Sequence, residues 1–284
     1  VNIGGEMERL MSKTVYDYMD WPGIEAVVYG EETAPRDVMG PRLTPDGVLI
    51  QGFFPEAKAA AVVVGHKKYE MELEDEAGYY AVLITGRKLP DYQFQVEFEK
   101  ETKTFRDAYA FGGLLTEDDE RAFLGGVYYE AYKKMGAHPM VMDGVAGTHF
   151  AVWAPNAIRV SVVGEFNNWD GRVLPMHKMP MSGIFELFVP GVKAGDLYKF
   201  AVETSQGYTV LKADPYGNQS QLRPDNASVV ADIRHFDWTD QAWRKEHQEK
   251  KTESPMAIYE VHPGSWKKDP SMPGEFYNFK KLAV

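Results

Sequence analysis

The sequence has no cysteine, which excludes disulfide bonds and thiolate metal ligands. It also has no apolar run near the roughly 18–20 residues of a membrane-spanning helix; the densest, residues 59–64, has the length of a strand. The first residues lack the basic segment and apolar core that mark a signal peptide. We therefore expect a cytoplasmic protein with no membrane partner.

Acidic residues outnumber basic ones. The chain has 31 lysines and arginines and 42 aspartates and glutamates, which gives a formal net charge of -11. Such a surface repels phosphate groups, which argues against nucleic acid as a partner but not against a neutral polysaccharide. The seven histidines show no metal-ligand spacing such as His-x3-His, and glycine-rich phosphate loops are absent. We expect neither a metal nor a cofactor.

Apolar residues are plentiful by contrast, at 44% of the chain, and 13% of it is aromatic, which is ample for hydrophobic cores. The length of 284 residues allows two or three domains of roughly 100–200 residues each. The chain begins with Val1 and ends in mid-pattern at Val284. We expect it to be part of a longer protein.

Two segments about 100 residues apart follow the same plan. Each has a strand that starts at a glycine, a second that ends at one, a Tyr-x-Phe strand and a closing Asp-x-Tyr. Short alternating runs bounded by Gly, Pro and Asn are typical of β-sandwiches, and each copy is too long for a solenoid unit. The repeat predicts two tandem immunoglobulin-like β-sandwiches. The matching landmarks are Gly47 and Gly147, Gly65 and Gly164, Tyr92 and Tyr198, and Asp107 and Asp214.

The two copies differ in the length of one loop. Thirteen positions separate Gly65 from Gly78, whereas nineteen separate Gly164 from Gly183. The extra residues lie in the loop that contains residues 167–169, Asn-Asn-Trp. A framework that is kept while one loop is lengthened is how a scaffold gains a site, so we expect the site in the second copy.

An exposed tryptophan beside amide groups suits a sugar, because it offers a flat apolar face with a hydrogen-bonding rim. Trp169 would provide the face, and Asn167 and Asn168 the rim. Lys199, on the Tyr-x-Phe strand, can donate to a glucose hydroxyl. These four are the candidate carbohydrate-binding residues, although Trp169 packing back onto the sandwich and Lys199 as an ordinary strand lysine stay open. Trp153, in a strand beside a proline turn, is expected to pack in the core.

The segments around the two copies predict helices and one further strand. Acidic residues after Thr116, basic ones before Gly136 and the glycine stop predict a single helix between the sandwiches, despite residues 125–126, Gly-Gly. Residues 255–262 start a new strand. The predicted organisation is a helical appendage (1–25), a first sandwich (26–112), a helical linker (113–140), a second sandwich (141–236), a linker (237–254) and the start of a further domain (255–284).

Four runs resemble bacterial 1,4-α-glucan (glycogen) branching enzymes: FAVWAPNA at 150–157, VGEFNNWDG at 163–171, KADPY at 212–216 and YEVHPGSW at 259–266. The resemblance implies that the second sandwich is a carbohydrate-binding module of family 48. It also implies that a (β/α)8 barrel of glycoside hydrolase family 13 follows. The expected fold is mainly β: two tandem sandwiches joined by a helical linker, then the first strand (258–262) and partial helix (276–284) of a truncated barrel.

Two departures from the resemblance bear on function. Pro263 stands where we expect leucine, just past the strand. Residues 207–211, Gly-Tyr-Thr-Val-Leu, lack the second tryptophan that regulatory glycogen-binding modules carry before the Asp-Pro pair. The missing second platform argues against strong independent binding of glucan.

The implied reaction cleaves an α-1,4 bond with retention and passes the glycosyl group to a 6-hydroxyl. It needs a carboxylate nucleophile and a carboxylic acid/base about 5–5.5 Å apart, which the family carries on later barrel strands. A barrel takes about 250 residues, whereas residues 255–284 are 30 positions. The acidic clusters at 72–76 and 118–120 are expected to be solvated turns or helix starts. We therefore expect a non-catalytic segment.

The partners implied by the resemblance are an α-1,4-glucan (glycogen, amylose or a starch-like polymer) and the catalytic barrel itself. Two alternatives remain open. One is a stand-alone, non-catalytic α-glucan-binding or scaffolding protein that kept the modules. The other is a debranching hydrolase of the same superfamily, which the tandem modules disfavour.

Overall fold

The computed structural model describes residues 14–234, 237–248, 255 and 257–283. The chain divides into two compact units, Val1–Arg234 and His235–Val284. The first unit contains both sandwiches, and the architecture is mainly β, with four antiparallel sheets, as predicted. Across the described ranges, every helix is too short or too polar to cross a bilayer.

The first sandwich packs a sheet of order β1-β2-β6-β5 against one of order β4-β3-β7-β8. Alternate residues such as Val48, Ile50, Val62 and Phe94 form the core between the sheets. The strands are β1 (Gly40–Thr44), β2 (Gly47–Phe53), β3 (Ala59–Val64), β4 (Lys67–Glu70), β5 (Glu72–Asp75), β6 (Tyr79–Ile84), β7 (Gln93–Glu97) and β8 (Thr102–Phe105).

The N-terminal segment covers the outer face of one of these sheets. Helix Trp21–Tyr29 begins at Asp20, whose side chain accepts from the third residue of the helix, and ends at Gly30 in the left-handed region (φ 79°). Its buried residues pack with Phe53 and Tyr79 of the sheet, which explains why every residue of β2 is buried. The helical part of the N-terminal segment therefore extends past residue 25, the predicted end of the helical appendage. The other helical pieces here are the 3-10 turn Val15–Tyr18 and the helix Pro35–Val38.

The link between the sandwiches is less helical than predicted. Thr116 caps helix Glu117–Leu124, but the helix ends there, so the prediction of one helix to Gly136 is wrong. Each glycine inside a helix costs about 1 kcal/mol relative to alanine, and Gly126 adopts a left-handed φ of 68° that stops the helix. A 3-10 turn, Ala131–Lys133, leads straight into the second sandwich; another, Ala108–Ala110, precedes the linker.

The second sandwich packs a sheet of order β12-β13-β10-β9 against one of order β11-β14-β17-β16, with β15 added beside β14. Phe150, Val162, Tyr198 and Phe200 are fully buried between them. The strands are β9 (Gly136–Met142), β10 (Val145–Trp153), β11 (Ala157–Gly164), β12 (His177–Lys178), β13 (Ile184–Pro190), β14 (Leu197–Thr204), β15 (Thr209–Lys212), β16 (Gln219–Ser220) and β17 (Ser228–Val229).

Trp153 does not pack in the core, so that prediction is wrong. Side chains alternate along β10, and since Phe150 and Val152 face inward, Trp153 faces out and is 51% exposed. Its indole nitrogen donates to the Ser182 carbonyl over 2.9 Å, and its ring meets Phe123 of the linker helix edge-on at 5.7 Å.

The repeat predicted from the sequence recurs in the structure as the same set of buried hydrogen bonds in both sandwiches. In the first sandwich Tyr92 donates to Asp107 over 2.5 Å, and in the second Tyr198 donates to Asp214 over 2.6 Å. The other oxygen of each aspartate accepts a backbone N–H two residues on, at 2.8 and 2.7 Å. The Tyr-x-Phe and Asp-x-Tyr runs therefore close each sandwich with the same buried corner.

The second unit has little regular structure. Its helices are Gln241–Gln248, Pro263–Trp266 and Phe279–Leu282. The predicted strand at 258–262 is not formed, because no strand in the described part of this unit lies beside it to pair with its backbone; Glu260 and His262 thus share no strand face. Ile258 is 84% exposed and Trp266 53%, so the described residues of this unit enclose neither side chain. The helix predicted from residue 276 begins at Phe279 after an Asn278 cap, and its predicted last residue lies outside the described ranges.

Candidate functional site

The lengthened loop of the second sandwich, residues 165–173, is called the platform loop here. It starts where β11 ends at Gly164, opens with the 3-10 turn Glu165–Asn167 and returns to the free edge of the same strand. There the Val162 N–H donates to the Leu174 carbonyl, and the Met176 N–H donates to Val160 over 2.8 Å.

The first sandwich makes the same return without the loop. A two-residue turn at Gly65 connects β3 to β4, and the Met71 N–H donates to Ala60 over 2.9 Å. The chain thus re-enters the sandwich six positions after Gly65 but twelve positions after Gly164. The six extra residues predicted from the sequence lie in the platform loop.

Asn167 braces this loop rather than facing solvent. It is buried; its side-chain oxygen accepts the Gly164 N–H at 2.9 Å, and its amide nitrogen donates to the Val162 and Asp170 carbonyls at 3.0 and 3.2 Å. These bonds use both amide protons, so the side chain has no donor left for a sugar. Its expected direct contact is therefore replaced by a positioning role.

The next two residues lie in an uncommon backbone conformation. Asn168 and Trp169 have φ values of 55° and 61°, in the left-handed region, which costs a non-glycine residue roughly 1–2 kcal/mol. The Trp169 N–H donates to the Gly164 carbonyl at 2.8 Å, which holds the turn closed. Asn168 is exposed and Trp169 is partly exposed, so part of the Trp169 ring is open to solvent and part is covered. A strained loop held by several bonds is typical of a functional segment.

Lys199 lies on the outer face of the sheet that contains β11 and β14. Its neighbours in β14, Tyr198 and Phe200, face the core, so Lys199 points outward, opposite Val163 in β11. Its ammonium donates to the side-chain oxygen of Asn226 at 2.5 Å. A Cβ at Gly171 would lie 3.4 Å from Ala201 on this same face, so the platform loop folds over the sheet beside Lys199.

Sequence reasoning missed two residues of this face. Asn226 precedes β17, and only the pairing of β14 with β17 brings it to Lys199. Leu211, half exposed in β15, lies opposite Ala201 on the outer face. The run 207–211, noted for its missing tryptophan, was the available signal for Leu211. No sequence pattern indicated Asn226, because its position depends on the pairing of strands that are far apart in the chain.

A groove separates the platform loop from the first sandwich. It encloses about 580 Å³, and its walls include Asn168 and Asp170 on one side and Glu56 and Phe105 on the other. Arg172 links the two sides, with 2.7 Å to Asp170 and 3.3 Å to Glu56. Burial disfavours ionisation of Asp170, but the hydrogen bonds from Arg172 outweigh it and lower the pKa of that carboxyl.

A buried joint fixes the linker against the second sandwich. The Glu186 carboxylate, on β13, accepts from the N–H groups of Leu114 and Leu115 at 2.8 and 3.1 Å and from the His149 ring at 2.9 Å. Burial lowers the pKa of His149. A Cβ at Gly113 would lie 1.8 Å from a Glu186 oxygen, so any larger residue there would have to displace this carboxylate.

Two family models match the chain. The alpha-1,4-glucan branching enzyme GlgB N-terminal domain matches residues 20–109, and carbohydrate-binding module 48 (isoamylase N-terminal domain) matches residues 134–217. The first sandwich therefore resembles a GlgB N-terminal domain, and the second resembles a family 48 module. The resemblance inferred from the sequence is thereby confirmed.

The curated relatives agree with both domains of this GlgB-like pair. The 1,4-alpha-glucan branching enzyme GlgB of Protochlamydia amoebophila is 49% identical over 276 residues, which are 96% of this chain and 37% of that protein. GlgB of Saccharophagus degradans is 38% identical over 266 residues, 92% of this chain and 36% of the relative. The chain thus spans just over a third of the length of these relatives.

Among solved structures, the type I pullulanase of Bacillus subtilis complexed with maltose aligns over 70% of this chain and 27% of its own. Its identity is 17% and its TM-score 0.32. A putative alpha amylase from Salmonella typhimurium aligns over 38% of this chain and 16% of its own, with 26% identity and a TM-score of 0.30.

Proposed function

We propose that this chain supplies the glucan-binding and supporting modules of a 1,4-α-glucan branching enzyme, and that bond cleavage and transfer are carried out by the barrel of that enzyme. The similarity to GlgB over 96% of the chain, across both sandwiches, carries the proposal. The acidic surface suits a neutral polymer, since the formal net charge of -11 repels anionic ligands but not a glucan.

In this proposal the outer face of the second sandwich holds an α-1,4-glucan chain. The exposed part of the Trp169 ring stacks on the apolar face of a glucose unit, and Lys199 donates to a hydroxyl at its edge. Asn226 holds the Lys199 ammonium in place, and Asn167 holds the platform loop. Leu211 offers an apolar surface where a second aromatic platform is missing, which fits weak guiding of chains.

The carboxylates of the predicted acidic cluster support a non-catalytic role. Asp119 receives the Lys134 ammonium at 2.7 Å and closes the capping box with Thr116. Glu120 is buried and accepts from the backbone and hydroxyl of Ser182 at 2.8 and 2.7 Å, so the expectation of a solvated residue is wrong there. Both side chains hold the linker helix, and neither faces a second carboxylate across an open cleft as retaining transfer requires.

The test is retention of the full chain on immobilised glycogen. Trp169→Ala should weaken retention by about 1–2 kcal/mol, roughly five- to thirtyfold, through loss of the stacked ring. Trp153→Ala is the matched control, because Trp153 is a half-exposed tryptophan on the other sheet and should leave retention unchanged.

Two results would count against the proposal. Unchanged retention of Trp169→Ala would leave that ring a packing residue only. An equal loss in both variants would show that retention reports general stability rather than the outer face.

A further inference from the structure

The groove between the sandwiches is continuous with a second hollow. The second hollow encloses about 470 Å³ and shares Glu56, Phe98, Lys103 and Asn168 with the first. Each volume lies within the range of about 300–1,000 Å³ that is usual for ligand sites. Because the two share walls, together they form one trough, which has room for more than one unit of a polymer.

Aromatic rings from the first sandwich line the floor of this trough. Phe105 is 36% exposed there and rests on buried Phe54 and Phe94, with ring centroids 5.9 and 6.0 Å away. The two buried rings meet edge-on at 4.9 Å and fix the position of Phe105. Phe105 therefore presents a supported apolar ring at the surface of the groove.

Several charged groups of the rim are paired, and the adjacent Glu99 and Lys100, which also line it, carry opposite charges. Lys103 lies 3.0 Å from Glu101, and Arg106 contacts Asp91. Glu56 and Asp170 share Arg172, as described above. Paired charges offer little net potential to a phosphate or a metal ion, but they still donate and accept hydrogen bonds. The trough therefore favours a neutral ligand rich in hydroxyl groups.

We propose that the trough between the sandwiches is a second binding site for an α-1,4-glucan chain. A glucose unit stacks on Phe105, and Asn168 supplies a hydrogen-bonding edge from the opposite wall. The platform loop thus serves two sites, since Asn168 and Asp170 line the trough while Trp169 between them serves the outer face. The choice of ligand rests on the proposed function; the existence of the site rests on the trough itself.

The test is a titration of the isotope-labelled full chain with maltoheptaose, followed by backbone amide NMR shifts. Shifts at Thr104, Phe105 and Gly191 report the trough, whereas shifts at Lys199 and Asn226 report the outer face. We expect both sets, and we expect the trough set to persist in Trp169→Ala.

Two variants probe the trough directly. Phe105→Ala should weaken the affinity measured from the trough shifts about fivefold or more. Asn168→Gly should weaken it less and keep the loop fold, since glycine readily adopts the left-handed φ of this position. The matched control is Leu43→Ala, an exposed apolar residue of the same sandwich away from the trough, which should leave both sets unchanged.

The outcomes separate the two proposals. Shifts at the outer face alone would overturn the second site and leave the proposed function intact. Trough shifts that disappear in Trp169→Ala would also overturn it as an independent site. Trough shifts alone would support the second site and count against the outer face, and no shift at either set would overturn both.

Discussion

The two sandwiches share a framework but use it differently. Both close with a tyrosine-aspartate corner, and both return to the free edge of the equivalent strand through a methionine N–H, Met71 in one and Met176 in the other. The first fills the intervening space with a two-residue turn and the second with the platform loop. The comparison teaches that six residues can be inserted at this point without changing the register of the strands on either side.

The same comparison separates residues that hold the fold from residues that add to it. Gln93 occupies in the first Tyr-x-Phe strand the position that Lys199 occupies in the second. The corner should therefore matter equally in both copies, whereas the platform loop and Lys199 should matter in one copy only. Four measurements test this division.

Removing the corner from each copy should have the largest effect. Asp107→Ala and Asp214→Ala each leave a buried tyrosine hydroxyl and a backbone N–H without their acceptor, which should lower the free energy of unfolding by about 3 kcal/mol. Urea denaturation followed by circular dichroism measures both. A loss in one variant only would mean that the corner is a fold element in one sandwich and not in the other.

The corner also predicts a dependence on pH. Burial raises the pKa of Asp107 from 3.8 to about 6, although hydrogen bonds from Tyr92 and the Tyr109 N–H oppose the shift. Between about pH 4 and pH 6 the folded state therefore binds more protons at this group than the unfolded state, and the free energy of unfolding falls as pH rises. The contribution is about 2 kcal/mol.

Asp107→Asn should remove this contribution, since the amide does not titrate. The free energy of unfolding of this variant, minus that of the unchanged protein, should therefore rise by about 2 kcal/mol between pH 4 and pH 6.5. The remaining slope includes Asp214, whose pKa burial also raises. An unaltered slope in Asp107→Asn would show that the carboxyl ionises as easily folded as unfolded.

Breaking the brace of the platform loop should affect the second sandwich alone. Asn167→Ala removes three hydrogen bonds and should lower the free energy of unfolding by about 1.5 kcal/mol, and with the loop released glycogen retention should fall as well. Asn156→Ala, in an exposed turn of the same sandwich, is the control. Stability lost without any loss of retention would separate the loop from glucan binding.

Exchanging the equivalent strand residues should have the smallest effect. Lys199→Ala should weaken glycogen retention by roughly 0.7 kcal/mol, the size of one solvent-exposed hydrogen bond. Gln93→Ala should leave retention unchanged because the first sandwich has no platform loop. A loss with Gln93→Ala would extend the outer-face site to the equivalent face of the first copy.

Much of the fold could be predicted because it depends on patterns within short segments of the sequence. Alternation and punctuating glycines mark the strands, and the recurrence of Tyr-x-Phe and Asp-x-Tyr marks the corner. The linker helix was predicted too long because charge at its ends was given more weight than the two glycines within it. The prediction of a strand at 258–262 is wrong because a strand needs a neighbouring strand to pair with, and the residue pattern of one segment does not supply it.

The position of the platform loop could be predicted, but not the contacts of its residues. The longer spacing after Gly164 located the platform loop. The residue types could not show that the Asn167 side-chain amide forms hydrogen bonds with the backbone. The prediction that Trp153 faces the core is wrong. Alternation separates the two faces of a strand, but the sequence does not say which face packs in the core. Asn226 and Phe105 depend on contacts between distant strands or between the two sandwiches.

Gly113 sets a limit on how the sequence of this protein can drift. Exposed linker residues such as Leu124 and Val127 can be exchanged with little consequence. At Gly113 every other residue type brings a Cβ into the space of a Glu186 oxygen, so a substitution must displace the carboxylate that holds Leu114 and Leu115. A position with no side chain of its own thus constrains how closely the linker can lie against the second sandwich.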